Sequence, residues 1–170
     1  ELVFAECHVP RSHTIGAEGG GYRQFLQILE GGRVAIAALS VGLAQACLDA
    51  SLSHSAERHQ FGQAISSFQG IQFMLADIAT QIEAARHLVF RAATKVDSRA
   101  PDLTKIAAMA KLFASDMAMK VTTDCVQLLG GYGYISDYPV ERMMRDAKIT
   151  QIYEGTNQIQ RVVIARALAR

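Results

Sequence analysis

The sequence predicts an all-α fold, an up-and-down four-helix bundle, and three observations predict it. Apolar residues recur at steps of three and four over long stretches, as on the buried stripe of a helix. Only 3 prolines interrupt the 170 residues, and half of the residues are apolar, which is enough for one sizeable core. The connections between the periodic stretches are short, and this favours antiparallel neighbours in a bundle.

The first ten residues differ from the rest of the chain. Residues 1–10 alternate like a strand and stop at Pro10, and a lone strand has no partner for its hydrogen bonds. We interpret this segment as the last strand of a preceding domain, residues 11–21 as a linker loop with a glycine run, and residues 22–170 as the bundle domain. No charged-then-apolar leader opens the chain.

The first helix is predicted from Tyr22 to about Arg58. Its longest apolar run, Val34 to Leu48, is interrupted by polar residues and is too short to span a bilayer, so no membrane span is expected and the run indicates a buried helix. The candidates for burial on this helix are Phe25, Ile28, Leu29, Ile36 and Leu39.

The second and third helices show the strongest periodicity. The second ends near Ser98, because Pro101 cannot continue it, and its seam is formed by Ile71, Leu75, Ile78, Ile82, Ala85 and Val89. The third starts after Pro101 and ends at Gly130, with Ile106, Met109, Phe113, Met117, Val121 and Cys125 on its apolar face.

A short helix from Pro139 to about Thr150 and a last helix from Asn157 to Arg170 complete the prediction of four long helices and one short one. Asn157 with Gln160 resembles a capping box, which supports the start of the last helix. On the third helix, Asp116 and Lys120 have the i,i+4 spacing of an ion pair.

Charge and cysteine content exclude several classes of function. The formal net charge is +1, from 17 basic and 16 acidic residues, so no basic surface for nucleic acid is predicted. Three cysteines without CxxC spacing and the lack of an HExxH sequence argue against a metal site and a disulfide framework, and favour a reducing compartment.

Glu154 is the one carboxylate whose context attracts attention. It stands between Tyr153 and Gly155, just before the predicted last helix. One interpretation is that the carboxylate only complements the dipole of that helix. The other is that a carboxylate on a joint beside a glycine can reach into a cleft. The residues alone leave both open.

Five ordered motifs, which together cover almost the whole chain, resemble those of the acyl-CoA dehydrogenase family. Residues 153–161, YEGTNQIQR, are similar to its catalytic signature, and the other four motifs are ERHQFG at 57–62, FQGIQF at 68–73, VQLLGGYG at 126–133, and YPVER at 138–142 with MRDAKI at 144–149.

The resemblance implies an enzyme with three domains: an N-terminal helical domain, a middle β-domain and a C-terminal four-helix bundle. Residues 1–10 would then be the residual strand of the missing middle β-domain. The implied reaction is FAD-dependent α,β-dehydrogenation of an acyl-CoA thioester to the trans-2-enoyl-CoA. The implied partners are the acyl-CoA substrate, further copies of the chain (a homotetramer, at least a dimer) and an electron-transfer flavoprotein as acceptor. The compartment would be the cytoplasm of a bacterium or the mitochondrial matrix of a eukaryote.

Site residues follow from the resemblance position by position. Glu154 matches the base that removes the α-proton, and its backbone N–H matches a contact to the thioester oxygen. The positions that match substrate contacts are Glu30, Gly31, Gly32, Arg33, Gly155 and Arg166. The positions that match FAD contacts are Arg58, Phe61, Phe68, Gln69, Gln127, Leu128, Leu129, Gly130 and Gly131, which touch the FAD of a neighbouring subunit, and Thr156, Asn157 and Gln158 beside Glu154.

Some relatives carry the base on the first long helix, at the position that is Gly32 here, so Glu154 has no rival in this chain. Two alternatives stay open at this point. An acyl-CoA oxidase has the same base but passes electrons to oxygen, and would be distinguished by hydrogen peroxide formation. A non-catalytic oligomerisation module or DNA-associated relative would be distinguished by steeply salt-dependent DNA affinity.

Overall fold

A computed structural model of the protein describes residues 1–169, and helices dominate it. The three long helices are α1 (Gly21–Glu57), α2 (Gln69–Asp97) and α3 (Leu103–Leu129), and the shorter ones are α4 (Gly131–Tyr134), α5 (Val140–Thr150) and α6 (Asn157–Leu168). Two short strands, β1 (His59–Gln60) and β2 (Gln63–Ala64), and single 3₁₀ turns at Arg11–His13 and Ile65–Ser67 complete the described elements. The prediction of an all-α bundle is confirmed.

Helix α3 is the centre of the bundle and packs against α1, α2, α5 and α6. Its buried face is rich in alanine, and small side chains let neighbouring helices approach closely; the alanines are Ala107, Ala108, Ala110, Ala114 and Ala118. The predicted short helix and last helix correspond to α5 and α6, which both pack on α3. Arg170, the predicted end of the last helix, lies outside the described residues.

The burial predicted for α1 is wrong in part. Phe25 is 71% exposed, Ile28 69% and Leu39 52%. Thr104, at the start of α3, donates a hydrogen bond to Glu30, so the turns of α1 before Glu30 extend past the end of α3. The stripe that does face the core is Val34, Ala37, Val41, Ala44, Cys47 and Leu48.

By length and composition alone, α1 is long and apolar enough to cross a membrane, a test that buried core helices also pass. In the structure, 44% of its most apolar window is buried. The buried apolar residues of α1 belong to the core that it shares with α2 and α3.

The predicted seam of α2 is confirmed over its second half, since Ile78, Ile82, Ala85 and Val89 are buried. On α3, Phe113 is 42% exposed and its predicted burial is wrong. The predicted Asp116–Lys120 pair is also wrong: Lys120 pairs with Asp124, and Asp116 pairs with Arg161 of α6.

Glu1–Pro10 have no helix or strand and are exposed. A strand requires a partner, and none pairs with these residues in the described part of the chain. Their assignment to a preceding domain, like the other domain boundaries, stays a prediction.

The connection between α1 and α2 contains a β-hairpin that the sequence did not predict. Its register places His59 opposite Ala64. The two turn residues, Phe61 and Gly62, have φ of 53° and 82°, as in the type I′ turns that join twisted strands. Phe61 therefore lies at the hairpin tip and is 93% exposed.

Candidate active site

Glu154 lies in the turn between α5 and α6, and its backbone is left-handed. Its φ is 55°, and that of Gly155 is 88°. A left-handed conformation costs a residue with a side chain about 1–2 kcal/mol, and such strain persists only where the surroundings hold it. Contacts from the surrounding residues must therefore hold the turn in this geometry.

The Glu154 carboxylate faces α1 at Gly32. A Cβ added to Gly32 would lie 2.4 Å from Glu154 Oε2 and 2.9 Å from Cδ. The missing side chain of Gly32 thus leaves the space that the carboxylate fills. Oε2 is buried and has no hydrogen-bond partner among residues 1–169. Because a buried polar atom is normally paired, this oxygen is a candidate to receive a proton or a ligand.

Arg33, the next residue on α1, is buried close to the same carboxylate. It is 7% exposed, and its Nε has no hydrogen-bond partner within the described chain. Burial lowers the pKa of Arg33, and the nearby charges of Glu30 and Glu154 oppose this effect. No ion pair within 4.0 Å joins Arg33 to Glu154 in residues 1–169, so the carboxylate lies near a cation without being locked to it.

A second buried cation, Lys111 of α3, contacts the same turn. It is fully buried, and its Nζ donates to the carbonyl of Gly155 at 2.9 Å and to Asn157 Oδ1 at 2.8 Å. The pKa of Lys111 is lowered to about 8, chiefly by burial; the charge of Arg33 contributes to this decrease, whereas those of Asp116 and Glu154 oppose it. The sequence did not point to this residue, although a lysine on an alanine-rich apolar face is unusual.

The Asn157 side chain is directed inward and does not cap α6, which corrects the predicted capping box. Its Nδ2 donates to Ser115 Oγ at 2.9 Å and to Asp116 Oδ1 at 2.7 Å. The residue that caps α6 is Thr156, whose side chain accepts from the Ile159 N–H, and not Asn157. The Asn157 side chain is buried in this network, and its backbone N–H donates to the Gln151 carbonyl at 3.0 Å. The predicted contact of Asn157 with a cofactor stays a prediction.

Gln160 replaces the predicted capping contact with a different one. Its Nε2 donates to the carbonyls of Glu154 at 3.1 Å and Gly155 at 2.9 Å. The backbone N–H of Glu154, in contrast, makes no hydrogen bond within residues 1–169. The turn is therefore held through its carbonyl groups, while this N–H stays available to a ligand.

A groove of about 430 Å³ lies at the other end of α1 and brings together five of the predicted cofactor residues: Arg58, Leu128, Leu129, Gly130 and Gly131. The Arg58 guanidinium lies 5.5 Å from the centre of the Tyr132 ring, and no acidic partner of Arg58 is found in the described chain. A Cβ on Gly130 or Gly131 would meet nothing within 4 Å. An unpaired guanidinium beside open glycine backbone fits a phosphate-bearing ligand.

The other predicted cofactor residues lie near one of these two places. Phe61 and Phe68 form an edge-to-face pair with ring centres 6.1 Å apart, next to the hairpin. Gln69 begins α2, and Gln127 is exposed at the end of α3. Thr156 and Gln158 follow Glu154, and Gln158 is exposed.

The predicted substrate residues also lie in separate parts of the structure. Glu30, Gly31, Gly32 and Arg33 are consecutive on α1, and Glu30 borders a cleft of about 580 Å³ between α1 and the connection from α2 to α3. Gly155 adjoins Glu154. Arg166 is exposed on the last turn of α6, about 14 Å along the helix from Asn157 at about 1.5 Å per residue.

These features define a class: a helical-bundle domain that holds one unpaired carboxylate beside two buried cations, with an anion-compatible groove at its far end. Comparison with known proteins identifies the family. A sequence model described as acyl-CoA dehydrogenase, C-terminal domain, matches residues 19–169. The chain belongs to the acyl-CoA dehydrogenase family.

Individual relatives agree with this assignment. A Mycobacterium leprae protein named "probable acyl-CoA dehydrogenase" is 57% identical over 170 residues, 100% of this chain and 44% of that protein. The structure of butyryl-CoA dehydrogenase from Megasphaera elsdenii superposes with a TM-score of 0.96 at 50% identity, over 99% of this chain and 44% of that one. A structure described as an electron transferring flavoprotein of Acidaminococcus fermentans gives a TM-score of 0.96 at 55% identity, with coverage of 99% and 44%. The chain thus spans less than half the length of these relatives.

Proposed function

We propose that the protein containing this chain catalyses FAD-dependent α,β-dehydrogenation of an acyl-CoA thioester to the trans-2-enoyl-CoA, with Glu154 as the base. The observation that carries the proposal is the buried, unpartnered Oε2 of Glu154 opposite Gly32. A carboxylate locked in an ion pair would be a poor base, because the pair would hold it in its ionised form. Among residues 1–169, no such pair holds this carboxylate.

Removal of the α-proton requires a base at one side of the substrate and stabilisation of the negative charge that develops on the thioester oxygen. Glu154 can supply both parts, because its carboxylate is the base and its free backbone N–H is a donor for that oxygen. The turn keeps the two groups in a fixed relation. Substrate in the cleft beside Glu30–Arg33 would exclude water from the carboxylate.

The residues of the chain fit FAD in two separate places. Arg58, with the glycines of its groove, would hold phosphate, and Thr156 with Gln158 would adjoin the reacting end beside Glu154. When bound, FAD supplies the acceptor for the hydride that leaves the β-carbon. Gly32 lies on α1 and Arg58 follows its last residue. The 26 positions between them span about 39 Å at about 1.5 Å per residue, which is too far for one FAD to reach both. This distance supports the proposal that the groove contacts the FAD of a second copy.

A second copy makes the functional unit at least a dimer, and we propose a homotetramer. The strained tip residue Phe61, 93% exposed, supports an intersubunit contact at the hairpin, because a large exposed aromatic side chain is typical of interfaces. We further propose an electron-transfer flavoprotein as acceptor, which the name of the Acidaminococcus fermentans relative supports. The bacterial origin of the relatives supports a cytoplasmic location.

The test is Glu154→Gln in the full-length protein with FAD, mixed with a panel of acyl-CoAs. Wild-type protein should bleach the flavin absorbance with its substrate. Glu154→Gln should keep the yellow cofactor but lose bleaching, because the amide cannot take the proton. Glu83→Gln, an exposed carboxylate on α2, is the matched control and should bleach like the wild type. Bleaching that survives in Glu154→Gln would refute the assignment, and hydrogen peroxide formed under air in the wild type would indicate an oxidase.

A further inference from the structure

We infer that Lys111 is a positioning residue for the base: its ammonium group holds the Glu154–Gly155 turn against α3 and so fixes where the Glu154 carboxylate points. This inference rests on the proposed function. Lys111 does not touch the reacting atoms in this arrangement. It acts through the Gly155 carbonyl and through Asn157.

The turn requires an external contact of this kind. Two consecutive residues with positive φ, one of them Glu154, store backbone strain. Two side chains donate to the Gly155 carbonyl, Lys111 and Gln160. Gln160 belongs to α6, the helix that begins at this turn, so it can move together with the turn. Lys111 belongs to α3 at the centre of the bundle, and it ties the turn to the part of the molecule that does not move with it.

A packing role alone does not account for a lysine at this position. Lysine is almost never fully buried unless it is paired, because removal of its charge from water is costly. Lys111 is fully buried, and its two hydrogen bonds go to neutral oxygens. No carboxylate lies within 4.0 Å of it in the described chain. A methionine would fill the same volume without this penalty. The ammonium therefore has a role beyond packing, and its two hydrogen bonds indicate that this role is to hold the turn.

The remaining contacts of Asn157 fix its side chain in place, so that it links Lys111 to α6. Its Nδ2 donates to Ser115 and Asp116 on α3, and Asp116 also pairs with Arg161 of α6 at 3.1 Å. The first turn of α6 is therefore attached to α3 at several points. Of these contacts from α3, the one made by Lys111 reaches Gly155, the residue next to the proposed base.

The position of Lys111 also affects the charge around Glu154. The ionisable groups that act on Lys111 are Arg33 of α1, Asp116 of its own helix and Glu154 of the turn. A cation close to a carboxylate favours the ionised form of that carboxylate. Loss of the Lys111 charge should therefore raise the pH at which the base becomes active, which a purely structural contact would not do.

The test compares Lys111→Met with wild type in the full-length FAD-loaded protein, over a range of pH. The rate of flavin bleaching at saturating substrate should fall about 10- to 100-fold at its plateau, as misplacement of a catalytic group by about 1 Å does. The acid limb of the pH profile should also move to higher pH. Hydrogen–deuterium exchange of the amides at 153–157, measured without substrate, should become faster.

Two controls separate positioning from stability. Lys120→Met removes an exposed lysine of the same helix and should leave rate and pH profile unchanged. Ser115→Ala loosens Asn157 but keeps the ammonium, so it should lower the melting temperature without moving the acid limb. A Lys111→Met protein with the wild-type plateau and acid limb would overturn the inference. The inference also fails if the rate loss of Lys111→Met equals that of Ser115→Ala at equal destabilisation and its acid limb does not move.

If Lys111→Met does not yield folded protein, Asn157→Ala is the variant that tests the inference. It removes one of the two acceptors of the ammonium and keeps the charge, so the plateau should fall while the acid limb stays in place; an unchanged plateau would overturn the inference. Failure of the inference differs from failure of the proposed function. If only the inference fails, Glu154→Gln abolishes bleaching, but the Lys111 and Asn157 variants bleach like the wild type. If the proposed function fails, Glu154→Gln still bleaches.

Discussion

Gly32→Ala should separate activity from stability in this domain. The new Cβ would lie 2.4 Å from Glu154 Oε2 and 3.3 Å from Oε1, whereas ordinary contacts begin near 3.4 Å. The carboxylate must therefore retreat by about 1 Å, and a displacement of that size costs about 100-fold in rate. The clash involves the far end of a flexible side chain, so folding should tolerate it. Alanine in a helix interior is favoured over glycine by up to about 1 kcal/mol.

The expected result is a protein that unfolds at the same or higher denaturant concentration but whose flavin is bleached about 100-fold more slowly. Stopped-flow absorbance of the full-length FAD-loaded protein measures the rate, and urea unfolding measures the stability. Gly42→Ala is the matched control, because Gly42 lies on the same helix, is exposed, and an added Cβ meets nothing within 4 Å. A Gly32→Ala variant that bleaches within twofold of wild type would refute the reasoning that the space at Gly32 sets the position of the base.

Two further predictions concern stability. Ile82→Ala should lower the free energy of unfolding by about 2–5 kcal/mol, because Ile82 is 1% exposed in the seam of α2; Phe73→Ala on the same helix, 60% exposed, should change it by less than about 0.5 kcal/mol, and equal losses in urea unfolding would contradict this. Burial lowers the pKa of Lys111 from 10.5 to about 8, so the unfolded chain binds the proton more tightly between these values. The stability of wild type relative to Lys111→Met should therefore rise as pH increases from 8 to 10.5, and a flat or falling difference in unfolding free energy would argue against a buried, charged lysine.

The fold could be predicted where periodicity and helix-ending residues agreed. Steps of three and four identified the seam of α2, and Pro101 and Gly130 marked helix boundaries close to the observed ones. The prediction failed where burial depends on a neighbour rather than on the helix itself. Phe25 and Ile28 are as apolar as core residues, but α3 begins only opposite Glu30, and no pattern within α1 contains that information.

The sequence motif of the candidate site could be predicted, but the residues that hold the Glu154–Gly155 turn in place could not. The resemblance predicted Glu154 and the glycines around it as site residues, and spacing alone could not have done so. Lys111 and Asn157 are 46 positions apart in sequence and 2.8 Å apart in space, so their contact depends on the packing of α6 against α3. The one signal in the sequence was local: a lysine between Ala110 and Leu112, within a buried apolar stretch. A charge at a core position indicates a partner but does not identify it.

The geometry of Gly32 and Glu154 gives a physical reason why relatives of this family can carry the base on either of two elements. The carboxylate from the turn and any side chain at position 32 compete for one volume, because even a Cβ there overlaps Oε2. A carboxylate can therefore approach the same point from α1 or from the turn, but the two cannot occupy it together. The two positions differ in backbone strain. A base on α1 would have a regular helical backbone, whereas the proposed base on the turn requires a left-handed residue and the contacts of Lys111 and Gln160 that hold it. In this chain the strained position carries the carboxylate, so the contacts that hold the turn belong to the machinery of the site as much as the space that Gly32 leaves open.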